Sequence, residues 1–241
     1  MNQLGFSTGC LYKTSINIEE RINLYSSVGA NAIELGFGSP SELFLFNLSQ
    51  RTIKNLDKYN FISIHAPWVG EIKYRDNKLS ENVFQKLEKL CQEIDVKGIV
   101  FHPNTITNFY LLEKTNLPIY IENMDKRKSI GINEKYFEKL KQRYNFRFVL
   151  DLQHAYEHDE LMNLTNNLTN LIGNRLNHLH VSGTLNQSFH SPLYLAENLK
   201  KIKKSLQNPK LTLVPKILEG EIKNQNNLKK EIDLLKQITC S

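Results

Sequence analysis

Cysteine is scarce in this chain, and what little there is does not pair. Cys10, Cys91 and Cys240 are odd in number and no two share a short spacing. That argues against a disulfide framework and a thiolate zinc site, and it fits a reducing, cytoplasmic compartment. Long apolar runs are absent as well: nothing approaches the ~18 residues that a membrane-spanning helix needs. No basic region, apolar stretch or small-residue cleavage site precedes Leu4-Gly5-Phe6-Ser7, so no secretory leader is expected. Glycine-rich phosphate loops are missing too. The first strand-like run leads into Ser7-Thr8-Gly9-Cys10, which is neither G-x-G-x-x-G nor a Walker lysine loop. An open, doubly wound nucleotide-binding sheet therefore lacks support.

What the sequence does have is alternation. Short β-branched runs at Leu4–Ser7, Ala32–Leu35, Ile62–His65, Gly98–His102, Ile119–Glu122, Arg147–Asp151, Leu176–Val181 and Leu213–Glu219 predict eight strands. Several are continuously apolar, such as Ile99-Val100-Phe101, as suits parallel strands buried on both faces. Between them apolar residues recur at helical spacing: Ile18, Ile22, Tyr25 and Val28; Val83, Leu87, Leu90 and Ile94; Leu228, Ile232, Leu235 and Ile238. The stretch around Phe109–Leu112 predicts only a short helix, while Ser129–Asn133 and Gly183–Ser191 read as loops. Eight such strand–helix units in 241 residues, with no change of composition along them, predict one α/β domain over residues 1–241, a closed (β/α)8 TIM barrel.

The net charge of +6 comes mostly from lysine. Lys200, Lys201, Lys203, Lys204 and Lys210, with Lys229 and Lys230, fall on helix faces and read first as a solvated outer ring. A surface that attracts phosphate or nucleic acid is the alternative.

The informative signal lies where the strands end. In a (β/α)8 barrel the active site forms at the carboxyl ends of the strands. Here six runs close on a good metal ligand: His65, His102, Glu122, Asp151, His180 and Glu219. His154 follows three residues after Asp151, and His190 lies in the segment after the seventh strand. Any one of these could be an ordinary buried polar residue. Six together would aim uncompensated carboxylates and imidazoles into one pocket, which calls for a cation. Nitrogen and oxygen donors suit zinc first, with manganese or ferrous iron as alternatives. His178, two residues before His180, is expected to lie one layer deeper as a structural residue. His158 is expected at an exposed helix start.

The motifs Phe101-His102-Pro103, Glu122-Asn123 and Asp151-Leu152-Gln153-His154-Ala155 resemble those of the xylose-isomerase-like TIM-barrel superfamily, most nearly its endonuclease IV branch (AP endonuclease family 2). The resemblance runs nearly the full length. It implies one ion on His65, His102 and Glu122, and a second on Glu122 (bridging), Asp151, His180 and Glu219. His154 and His190 would belong to a third. That branch carries Asp-x-His where this chain has Ser188-Phe189-His190, so the third position lacks a carboxylate, or takes water or substrate phosphate in its place. The first strand lacks the branch's histidine, and the chain is shorter. Ile33-Glu34-Leu35 and His65-Ala66-Pro67-Trp68 are more similar to the sugar isomerase and epimerase branch. Trp68 and Val69 stand where the endonuclease branch places residues that wedge into duplex DNA, although Trp68 would equally wall a small-substrate pocket.

Two chemistries follow. The first is two-metal hydrolysis of a phosphodiester at an abasic site in DNA, with His154 and His190 holding a third ion or directly assisting the leaving oxygen. The second is isomerisation or epimerisation of a sugar, phosphorylated or free, with Glu122 and Glu219 as the acid–base pair. In either, Trp68 and Asn123 are expected to contact substrate. A metal-binding barrel without catalysis is the remaining class. The oligomeric state is not legible.

Overall fold

Eight parallel strands close on themselves in a computed structural model that describes residues 2–239 apart from positions 71 and 187. Cys240 lies outside the described residues. The strands are β1 (Leu4–Ser7), β2 (Ala32–Gly36), β3 (Phe61–His65), β4 (Gly98–Phe101), β5 (Ile119–Glu122), β6 (Arg147–Asp151) and β7 (Leu176–Val181). A short antiparallel hairpin, β8 (Gly183–Leu185) and β9 (Ser188–Ser191), precedes β10 (Lys216–Leu218). Around the barrel the order is β1-β10-β7-β6-β5-β4-β3-β2, so each strand pairs in parallel with its chain neighbour and β10 closes against β1. Helices α1 (Ile18–Ser27), α2 (Pro40–Leu45), α3 (Gln50–Leu56), α4 (Lys78–Glu93), α5 (Tyr110–Glu113), α6 (Glu134–Arg143), α7 (Leu152–His158), α8 (Asn163–Ile172), α9 (Leu199–Leu206) and α10 (Leu228–Thr239) make the connections. None of the described helices is long and apolar enough to cross a membrane.

The helices form where the spacing predicts, and side chains set their starts. Asn17 and Glu20 complete a capping box on α1. Asn77 and Asn133 accept backbone N–H bonds at the starts of α4 and α6. Ile22 and Tyr25, Val83 and Leu87, and Leu228, Ile232, Leu235 and Ile238 are all buried against the strands. Full burial of each such side chain is worth ~1.5–3 kcal/mol. The expected weak element after β4 is a single turn, α5.

Three expectations need correction. Gly183–Ser191 is a hairpin, not a loop, with Asn186 in a left-handed conformation at its turn (φ +48°). The last strand is shorter than Leu213–Glu219, because Leu213 stands 85% exposed and β10 begins at Lys216. His158 ends helix α7 instead of starting one, and it is half-buried with Nε2 3.1 Å from the Met124 carbonyl.

Side chains alternate between the outer shell and the barrel interior at period two. The interior therefore reads in layers. Deep in the barrel Ala32 and Phe61 pack with Ile217, while Val100, Tyr120 and Val149 pack together two residues before His102, Glu122 and Asp151. Gly98 permits this: a Cβ there would come within 1.5 Å of the Tyr120 ring. Two residues further along β2, β3 and β7 come Glu34, Ser63 and His178. Two more bring the layer that carries the chemistry.

Candidate metal centre

Strand spacing converges His65, His102, Glu122, Asp151, His180 and Glu219 at the carboxyl end of the barrel, as the resemblance implies. Glu122 is central. Its Oε2 lies 3.2 Å from His65 Nε2 and 3.1 Å from His102 Nε2, while Oε1 lies 3.1 Å from His180 Nδ1. His180 Nδ1 is also 3.3 Å from Glu219 Oε2. One carboxylate thus faces two different sets of donors. His65, His102 and Glu122 form one group whose ligand atoms lie within 4.8 Å of one another, and Glu122, Asp151, His180 and Glu219 form a second. Asp151, His154 and His190 form a third.

The ring orientations fit cations. His65 Nδ1 lies 2.9 Å from the Ala66 carbonyl, and its Nε2 lies 3.1 Å from His102 Nε2. His154 Nδ1 lies 2.8 Å from the Asn123 carbonyl, and its Nε2 lies 3.2 Å from His190 Nε2. A carbonyl only accepts, so Nδ1 carries the proton in His65 and His154 and Nε2 presents a lone pair. In each pair two ring nitrogens converge on one space. Asp151 Oδ2 is buried with no hydrogen-bond partner. A divalent ion would satisfy all of these donors, and outer hydrogen bonds of this kind are how proteins orient ligating histidines.

The electrostatics agree. Burial opposes charge at Glu122, but His180 and His102 outweigh it and hold the carboxyl well below its ordinary range. Burial lowers His102 to about 4, against the pull of Glu122. For His154 burial is again the largest influence, yet Asp151 and Glu122 outweigh it and the net shift is upward. Glu219 is raised well above its ordinary value, first by burial and then by the neighbouring carboxylates.

The third group rests on a different scaffold. Asp151 caps α7, its Oδ1 accepting the His154 N–H at 2.8 Å. His190 sits in β9 with φ +56°, a backbone conformation that non-glycine residues adopt at a cost. Ser182 Oγ lies 3.1 Å from His190 Nδ1. Asn198 links the two carriers: its Nδ2 donates to Gln153 Oε1 on α7 at 3.0 Å, and its Oδ1 accepts the Thr184 N–H on β8 at 3.1 Å. Glu231 on α10 accepts the N–H groups of Leu193 and Tyr194, just beyond β9. Ser188 is exposed, so the Ser182 hydroxyl, not Ser188, is the hydroxyl that meets His190.

Not every expected contact is made. Asn123 is buried, and both ends of its amide bond the Asp151 backbone, at 2.9 and 2.7 Å. It bonds β5 to β6 and is not among the residues that line the cleft. Trp68 is half-buried, its ring centroid 4.3 Å from that of His65 and 5.8 Å from that of His102. It walls a cleft of about 1230 Å³ that also meets Leu45, Phe46, Val69, Arg21 and Arg127, with the histidines as its floor. Three contributors were not singled out from sequence. Asp125 chelates Arg127 at the mouth, at 2.7 and 3.0 Å. Glu157, on α7, has both carboxylate oxygens buried without a hydrogen bond. Glu34 lies under the centre beside His178; a carboxylate inside the apolar run Ala32-Ile33-Glu34-Leu35 is the signal that could have found it.

The barrel is a fold that this chain shares with solved structures named as endonucleases and as sugar epimerases. Endonuclease IV from Thermus thermophilus superposes with a TM-score of 0.71 at 16% identity, covering 98% of each chain. A D-tagatose 3-epimerase-like protein gives 0.70 at 19% identity, over 98% of this chain and 96% of its own. An AP endonuclease of family 2 from Brucella melitensis gives 0.66 at 14%, over 98% and 99%. No family profile and no curated protein sequence matches the chain.

Proposed function

We propose that this chain is a divalent-metal-dependent phosphodiester hydrolase that cleaves DNA at abasic sites. The observation that carries the reading is Glu122, whose two oxygens face His65 and His102 on one side and His180 on the other. A carboxylate so placed joins two cation positions, and a one-ion isomerase has no need of the His65–His102 pair. Cations held there would polarise a phosphoryl oxygen and lower the pKa of the attacking water. The chain's own residues do the rest. His65, His102, Asp151, His180 and Glu219 position the cluster. His154 and His190 stand at the same floor, where they would hold a third cation or assist the leaving oxygen. Trp68 and Val69 supply an apolar wall at the mouth, and Arg127, though chelated by Asp125, places positive charge beside it. The cleft, about 1230 Å³ and open to solvent, leaves room for a polymer. Removing His65 or His102 by alanine substitution should lower the bound-ion count and abolish cleavage of an abasic duplex; retained cleavage in either variant would sink the two-ion mechanism.

One observation supports the alternative, a metal-dependent sugar epimerase. Glu122 Oε1 and Glu219 Oε2 both approach His180 Nδ1, at 3.1 and 3.3 Å, so two carboxylates share the second group, as an acid–base pair requires. Incorporation of solvent deuterium into a sugar, lost in Glu219→Gln, would select that reading.

A further inference from the structure

We infer that Glu34, buttressed by Ser63 and His178, is a positioning residue that makes His180 offer Nδ1, and not Nε2, to the cation. The inference rests on the metal-binding part of the proposed function.

His180 is fully buried and has polar groups on both ring nitrogens. Nδ1 faces Glu122 Oε1 and Glu219 Oε2, at 3.1 and 3.3 Å. Nε2 lies 3.2 Å from each oxygen of Glu34, one layer deeper in the barrel. An ionised carboxylate only accepts. Carboxylates thus face both nitrogens, and the ring has one lone pair to give: with Glu122, Asp151 and Glu219 gathered around a cation position at Nδ1, the proton stays on Nε2, where Glu34 accepts it. This is the carboxylate–histidine–metal arrangement, in which the outer carboxylate settles tautomer, ring orientation and ligand basicity.

Glu34 is itself held in place. It is completely buried. Its Oε2 accepts from Ser63 Oγ at 2.9 Å and lies 3.2 Å from His178 Nε2. Among the described residues its Oε1 makes no hydrogen bond of good geometry, and it lies 3.2 Å from His180 Nε2. The ion pairs of Glu34 among the described residues are with His178 and His180, and none is with lysine or arginine. A buried carboxylate is costly unless it is paired and hydrogen-bonded, and the partners that offset the cost here are Ser63, His178 and His180. The strand period explains the placement: Glu34, Ser63 and His178 occupy the layer two residues below Gly36, His65 and His180, so their side chains meet beneath the ligands.

The direct test is ¹⁵N NMR of the histidine rings in the zinc-loaded full-length protein. The expected result is a His180 ring protonated at Nε2 and coordinating through Nδ1; coordination through Nε2 would overturn the inference. Competition with a chromogenic chelator gives the second readout. Glu34→Leu should weaken one zinc by ~10–100-fold, the usual effect of losing such an outer partner. The zinc reported by Trp68 fluorescence, beside His65 and His102, should keep its affinity. Glu34→Gln, whose amide oxygen still accepts from Nε2, should lose less and serves if the leucine variant does not fold. Unchanged zinc affinity in folded variants would contradict the inference, as would loss of an entire ion with His180 coordination intact, since that would put a cation between Glu34, His178 and His180. A wild-type protein that binds no zinc at all would instead defeat the proposed function.

Discussion

The His65–His102 pair and the His154–His190 pair have nearly the same inner geometry, Nε2 to Nε2 at 3.1 and 3.2 Å, on very different supports. The first pair stands on β3 and just past β4, neighbours in a parallel ladder. His65 and His102 are 4% and 12% exposed in their side chains. The second pair joins a helix start to a hairpin. His190 is 31% exposed, left-handed in its backbone, and held through Ser182 and through the Gln153–Asn198–Thr184 bonds. Parallel barrel pairing carries the first pair; the second rests on a short hairpin, one Glu221 N–H bond to the His190 carbonyl at 2.7 Å, and side-chain bonds. The second should therefore be the easier to disturb and the less essential to ion retention.

Glu122→Ala should have the largest effect, because it removes the carboxylate that faces both donor sets. Loss of a direct ligand should exceed the ~10–100-fold cost of losing an outer partner, and elemental analysis should find ions missing from both positions. His65→Ala comes next. It should remove one ion and, since Trp68 is the only tryptophan and lies 4.3 Å from His65, the fluorescence response to zinc should vanish with it. Asn198→Ala should act on the other pair alone. It leaves Gln153 and Thr184 unpaired, at a cost of ~1–3 kcal/mol, and should weaken the third position while the Trp68 response survives. If both responses fell together, the two pairs would not be separately supported.

A smaller effect concerns the α10 brace beyond β9. Burial raises Glu231 from 4.5 to about 7. The folded protein then keeps a proton that the unfolded chain releases near 4.5. Its contribution is complete below that pH and is lost as pH rises through about 7. Urea unfolding should show stability declining over this window, and Glu231→Gln should flatten the decline. Smallest of all, Lys203→Gln on exposed α9 should change stability by no more than ~0.5 kcal/mol.

The same contrast explains what the sequence makes legible. Apolar runs that end on a polar residue stand out in a sequence, so the meeting of His65, His102, Glu122, Asp151, His180 and Glu219 at one end of the barrel could be read directly, and the barrel with it. Glu34 and His178 lie mid-strand, where burial hides whether a polar residue is structural or aimed at the site. The hairpin follows a different rule. Its strands are short, its turn uses Asn186 in place of glycine, and Ser188 and His190 carry no alternation to mark them. Asn123 misled for another reason: adjacency to Glu122 says nothing about which way an amide points, and here it turns to Asp151.

The two-ion reading is best tested by purifying the protein without chelators, counting bound metal by elemental analysis, and assaying the same sample on an abasic-site duplex. Two or more ions per chain together with strand cleavage is the expected result. One ion and no cleavage would contradict it and direct the search to sugar substrates, with Glu122 and Glu219 as the acid–base pair.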